Sequence, residues 1–191
     1  MWLPSLPAGF YEVKNEHYDD SYFEHYAELE CLPISKQIID ARIGLVKRHT
    51  AATVVDFGIG SGTFVRSLSD TTGFDINPKS VAWLRARGLY VDPWSSTSRA
   101  VTFWDSIEHV RDFGPLLRNI REWLFISIPI FSSSEHVISS KHFKPMEHYW
   151  YFTQDGLVKL MRDNGFDCME INREEIRLGR EDILSFAFTR L

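Results

Sequence analysis

Three glycines, Gly58, Gly60 and Gly62, alternate with Ile59 and Ser61 directly after the apolar run "TVVDF". So little side chain at one point lets a ligand lie against the backbone, and glycine accepts positive φ at no steric cost. The run before the loop reads as a buried strand. "SGTFVRSLSD" after it reads as a short helix, whose first N–H groups suit an anion. A dinucleotide, a phosphate and an adenosyl amino acid all fit that description. The dinucleotide fingerprint needs glycine or alanine where Thr63 stands, and no Gly-Lys-Ser/Thr follows to make a nucleotide-hydrolase loop. Asp75 lies 17 residues after Gly58 at the end of the next strand run, where a carboxylate accepts both hydroxyls of a ribose.

Histidine is the other group suited to proton chemistry near neutral pH. His109 follows Glu108 in "DSIEHV", and His148 stands in "KPMEHYWYF" just before a well-marked helix. Either is a candidate base or acceptor-orienting group. Tyr149 and Trp150 are candidate walls for an organic acceptor, with His142 beside them. His136, His142 and His148 recur every six residues, but no tight ligand pair supports them, and no metal is expected.

The elements that must position these groups are well punctuated. Pro33 opens a helix over 33–49, with Ile34, Ile38, Ala41 and Leu45 at helical spacing and Lys36, Arg42, Lys47 and Arg48 on its wet face. Strand runs are expected at 53–58, 71–77, 89–92, 100–104, 123–131, around 167–178 and at 183–191. Asn77-Pro78 caps one intervening helix. Asp105 or Ser106 caps a second that runs on toward Ile120. Thr153 caps a third, with Phe152 and Leu157 as its hydrophobic staple and Asn164-Gly165 as its stop. Strands alternating with helices imply parallel pairing, whereas the tight connection "GRED" between the last two runs requires an antiparallel hairpin.

The bulk numbers agree. At 191 residues and 44% hydrophobic, the chain is one domain's length with enough apolar mass for a core. Its net charge of −5 sets up no overall basic field, so neither nucleic acid nor an anionic membrane is expected as a partner. A groove built from Arg85, Arg87, Arg99 and Lys144 would argue the other way. No apolar run approaches the ~18 residues of a membrane span. Cys31 and Cys168 have no ligand spacing and read as reduced thiols, so a cytoplasmic location is expected. Residues 1–50 read as a helical cap or lid on a domain over 51–191. Its segment from Tyr11 to Glu30 holds seven acids against one base and carries Tyr22 and Tyr26.

Taken together, "VVDFGIGSG", "GFDINP", "FWDSIEHV" and "HYWYFTQDGLVKLMRDNGF" resemble the successive motifs of the class I S-adenosylmethionine-dependent methyltransferases, in particular the group that includes the ubiquinone-pathway O-methyltransferases. The likeness runs from about residue 50 to 170. It implies a doubly wound, mostly parallel, seven-stranded α/β sheet of the Rossmann-like methyltransferase fold, ending in an antiparallel hairpin. It also implies S-adenosylmethionine as cofactor and an O or N atom of a small organic acceptor as methyl target. By position, Asp56, Gly58, Gly60 and Gly62 would surround the methionine end. Asp75 would hold the ribose hydroxyls, Ile76 would lie beside the adenine and Asp92 would reach its amino group. Asp105 would end the fourth strand beside cofactor and acceptor, with His109, His148 and Asp105 as the catalytic candidates. The connection "PWSSTSRA" departs from the family in lacking an acid and a helical crossover, which leaves Trp94 to replace an apolar contact.

Overall fold

The computed structural model describes residues 2–4 and 33–191, so the segment carrying Tyr22, Tyr26 and Cys31 lies outside the described residues. Within them the strands are β1 (Trp2–Pro4), β2 (Val54–Phe57), β3 (Thr71–Phe74), β4 (Ser98–Trp104), β5 (Ile120–Pro129), β6 (Trp150–Phe152), β7 (Phe166–Asn172) and β8 (Ile183–Arg190). The helices are α1 (Pro33–His49), α2 (Thr63–Ser67), α3 (Pro78–Ala86), α4 (Gly114–Arg118), α5 (Ser134–Ser139), α6 (Gln154–Asp163) and α7 (Glu174–Arg177), with a 3-10 turn at Ile107–His109. Six strands form the main sheet in the order β3-β2-β4-β5-β8-β7, and β1 pairs separately with β6. β3, β2, β4 and β5 run parallel. β8 runs antiparallel to both of its neighbours, β5 and β7.

Alternation along β2 and β4 explains the two layers. Val54, Ala100 and Trp104 point to one face, under Leu45 and Val46 of α1 and Phe64 of α2. Val55, Phe57, Val101 and Phe103 point to the other, with Leu116 and Leu117 of α4 and Leu157 and Met161 of α6. Helices on both faces are why these strands carry apolar residues at nearly every position.

The local signals hold where a cap decides them. Asn77 accepts the Lys79 N–H (2.9 Å) and Thr153 accepts the Gly156 N–H (3.0 Å). Gly165 ends α6 with φ +84°. Phe152 and Leu157, the staple, are both fully buried.

Four readings need correction. Residues 89–92 are no full strand: Gly73 and Tyr90 form one parallel bridge at the β3 edge, so the sheet has six strands rather than seven. The helix expected from 105 toward 120 is split into the 3-10 turn and α4, because Pro115 lacks an N–H and suits only a helix start. Residues 174–177 are helical rather than extended, since Asn172 Oδ1 takes the Glu174 N–H at 2.7 Å and turns the chain. Arg42, placed on the wet face of α1, is buried.

Candidate functional site

The glycine loop sits at the carboxyl end of β2, where ligands bind in doubly wound sheets. Gly58, Gly60 and Gly62 all have left-handed φ, at +81°, +56° and +83°. A Cβ on Gly58 would lie 2.8 Å from Ser106 Cβ, and one on Gly62 would lie 3.1 Å from the Trp83 ring. The loop is braced from both sides. Asp75 Oδ2 accepts the Gly60 N–H (3.2 Å), and Ser80 donates to the Gly60 carbonyl (3.0 Å). Asp75 also takes the Asn77 N–H on its other oxygen (2.8 Å). Burial pushes its carboxyl up, against the downward pull of these N–H groups.

Asp56 is buried directly across from Thr102 in the β2–β4 register, and the Thr102 hydroxyl donates to it at 2.7 Å. Ile76 is exposed beside Asp75. Asp92 accepts the Trp94 N–H (3.0 Å) and the Ser95 hydroxyl (3.0 Å). The turn so formed sets Trp94 edge-on against Phe57 and Phe74, with ring centroids 5.3 and 5.0 Å away. Asp92 therefore builds the support for Trp94.

Asp105 ends β4 with φ +54° and is not an available base. Arg42 reaches it at 2.8 Å, and Arg180 at 2.9 and 3.1 Å. Burial would raise its pKa, but the two guanidinium groups outweigh this and hold it well below the usual carboxylate range. A carboxylate so held is a poor proton acceptor near neutral pH. The same two arginines grip Glu175, which is buried and also takes the hydroxyls of Ser127 (2.6 Å) and Ser185 (3.2 Å). This quartet of Arg42, Asp105, Glu175 and Arg180 ties α1, the end of β4 and α7 together. One sequence signal points to Arg42: it stands three and four residues before Leu45 and Val46, on their helix face.

His109 and His148 come together, with ring centroids 4.7 Å apart and planes at 90°. The Tyr149 N–H donates to the Glu108 carbonyl (2.8 Å), which fastens the loop before β6 to the 3-10 turn. His109 Nδ1 lies 3.1 Å from the Glu147 carbonyl. A carbonyl only accepts, so Nδ1 carries the hydrogen and Nε2 keeps its lone pair. Burial lowers both histidines, His148 to about 3. Glu108 is buried, with Oε2 unpartnered among the described residues; burial first, and the negative charge of Asp105 second, push its carboxyl up to about 8.

The other candidates separate. His142 Nε2 meets the Glu181 carbonyl (3.0 Å), and His136 pairs with Asp182 (3.1 Å). His136 lines a cavity of about 410 Å³ with Ile130, Phe131, Arg173 and Asp182, away from His148 and the glycine loop. Trp150 donates its indole N–H to the Val110 carbonyl (2.9 Å) and packs on Phe113 and Phe152, so it serves the wall of the core. Tyr149 is half-buried beside His148.

A family model described as a methyltransferase domain matches residues 23–171. The chain belongs to that methyltransferase family. No curated protein matches this methyltransferase in sequence. Solved structures agree on the fold. The magnesium protoporphyrin IX methyltransferase of Synechocystis PCC 6803 with bound SAH has a TM-score of 0.67 at 13% identity, over 92% of this chain and 97% of its own. A Thermotoga maritima SAM-dependent methyltransferase, described as a possible histamine N-methyltransferase, has a TM-score of 0.64 at 16% identity, over 92% and 99%. The Haloferax volcanii complex of the Trm112 activator with a putative methyltransferase has a TM-score of 0.66 at 16% identity, over 90% and 95%. At these identities the likeness establishes the Rossmann-like methyltransferase fold of this chain.

Proposed function

We propose that this chain transfers a methyl group from S-adenosylmethionine to an oxygen or nitrogen of a small organic acceptor. The observation that carries the reading is Asp75, buried at the end of β3 and bonded to the crest of a loop of three left-handed glycines. The cradle fits the cofactor: Cβ atoms on Gly58 and Gly62 would crowd Ser106 and Trp83. Asp75, which takes the Gly60 and Asn77 N–H groups, is the acceptor for the ribose hydroxyls. Ile76 and Trp94, both exposed at the strand ends, are the apolar surfaces for the adenine.

When bound, the cofactor supplies an electrophilic methyl on a sulfonium. The chain's part is alignment and exclusion of water, which supplies on the order of ~7 kcal/mol or more in well-oriented cases. His109, half-buried with its Nε2 lone pair free of the Glu147 contact, is the group placed to receive a hydroxyl proton. A small acceptor is favoured by the fate of the four cations that would make a nucleic-acid groove. Arg85 lies over Tyr90 and Arg87 over Trp83, while Arg99 pairs with Glu122 and Lys144 with Glu147. No helix among the described residues is long and apolar enough to cross a membrane.

Calorimetric titration of S-adenosylmethionine and its demethylated product tests the reading. Micromolar-range binding of both is expected for the wild type. Asp75→Ala, with unchanged circular dichroism, should weaken it by about 100-fold, as for loss of two hydrogen bonds to a charged group. Binding of NAD instead, or equal binding by the variant, would overturn it.

A further inference from the structure

Glu108, His109 and His148 each present a ligand atom, and these atoms all lie within 4.8 Å of one another. Two come from the 3-10 turn after β4 and the third from the loop before β6, and the Tyr149–Glu108 backbone bond holds these segments together. Among the described residues Glu108 Oε2 has no hydrogen-bond partner, although only 2% of that residue is exposed. A buried carboxyl oxygen left this way costs about 1–3 kcal/mol, unless something beyond the described residues satisfies it. His109 is set as metal-binding histidines are set: the Nδ1 hydrogen goes to a backbone carbonyl, and Nε2 is left as the donor. His148 is almost wholly buried while His109 stays partly open, so the cluster has one accessible side. Other charges nearby are already committed, Lys144 to Glu147 and Asp105 to Arg42 and Arg180.

We propose that Glu108, His109 and His148 bind a divalent transition-metal ion of the zinc class. Two imidazole nitrogens and one carboxylate suit zinc, cobalt or iron(II) rather than magnesium or calcium, which take oxygen ligands. Bonds of about 2.1 Å would bring the donor atoms to roughly 3.4 Å from one another, a closure that side-chain torsions supply. Three protein ligands leave a coordination position open, as in catalytic rather than structural sites. The role of that position rests on the methyl-transfer reading. An acceptor hydroxyl that binds there loses its proton to water more readily, and His109 Nε2, taken up as a metal donor, then no longer serves as the base. The oxygen–methyl bond then forms as the methyl–sulfur bond breaks, leaving a neutral thioether. The acceptor class follows: a hydroxylated organic molecule, with oxygen as the target.

Cobalt(II) titrated into protein freed of metal with EDTA, followed by visible absorption, reads the site without any turnover. One equivalent with the intense bands of a low-symmetry site is expected, displaced by zinc. Glu108→Gln, close to isosteric, and His148→Ala should each weaken binding by ~100-fold or more, whereas His142→Ala should not. Absence of stoichiometric binding by the wild type, or equal binding by all three variants, would overturn the proposal. If His148→Ala does not fold, Glu108→Gln and the His142 control decide alone. A parallel S-adenosylmethionine titration separates the two readings. Cobalt without cofactor binding would keep the metal site and remove its acceptor role; cofactor without cobalt would overturn the metal site and leave methyl transfer standing.

Discussion

Glu175→Ala is expected to lower the melting temperature by about 6–20 °C. The variant leaves two arginines sharing Asp105 alone, and breaking a buried ion cluster by removing one partner costs about 3–5 kcal/mol. Each kcal/mol shifts a domain of this size by about 2–4 °C. Calorimetry against wild type checks it, and a change under about 2 °C would show that the quartet adds little. The pH dependence has a definite sign. Burial alone would raise the pKa of Glu175, but Arg42 and Arg180 hold it below its ordinary value, and Asp105 behaves alike. For a depressed carboxylate, the unfolded state binds more protons at acid pH. The stabilisation is therefore complete above the unfolded value of about 4 and is lost as pH falls below it. The melting temperature of the wild type should drop steeply below about pH 4, and that of Glu175→Ala more gently.

Gly58→Ala is expected to abolish cofactor binding, by about 100-fold or more in calorimetry, while the protein still folds. The residue sits at φ +81°, where a side chain costs about 1–2 kcal/mol. Its new Cβ would also meet Ser106 Cβ at 2.8 Å. Ser106 cannot yield freely, because its hydroxyl holds the Phe57 carbonyl at 2.7 Å and is itself buried. The loop must move instead, and with it the Gly60 N–H that grips Asp75. Gly44→Ala is the control. Gly44 lies inside α1, where the nearest atom to a new Cβ is the flexible tip of Arg48 at 3.6 Å, so the change should stabilise by about 0.5–1 kcal/mol.

What could be read beforehand was what a few neighbouring residues decide. Three glycines after a strand run, an acid 17 residues on, Asn77 before Pro78 and Thr153 before α6 each declare themselves within one turn of chain. The antiparallel close of the sheet was legible because so short a return leaves no other geometry. Long-range partners were not legible. Arg42 meets Glu175 across 133 positions and Asp105 across 63, and no local pattern announces either meeting. Asp105 therefore read as a catalytic candidate beside cofactor and acceptor, although two cations hold it. His109 and His148 were both singled out, yet their contact depends on the return of the loop before β6, which periodicity does not encode.

Trp94 gives the cleft an optical signal of its own. Its indole is 41% exposed and leans edge-on against two phenylalanines, whereas Trp104 is buried and the Trp150 N–H is tied to a carbonyl. A purine laid on that exposed indole would quench its emission, and the light from the more enclosed tryptophans would form a steady background. Occupancy of the proposed adenine slot then becomes visible in dilute, unlabelled protein, in real time, before any acceptor is known.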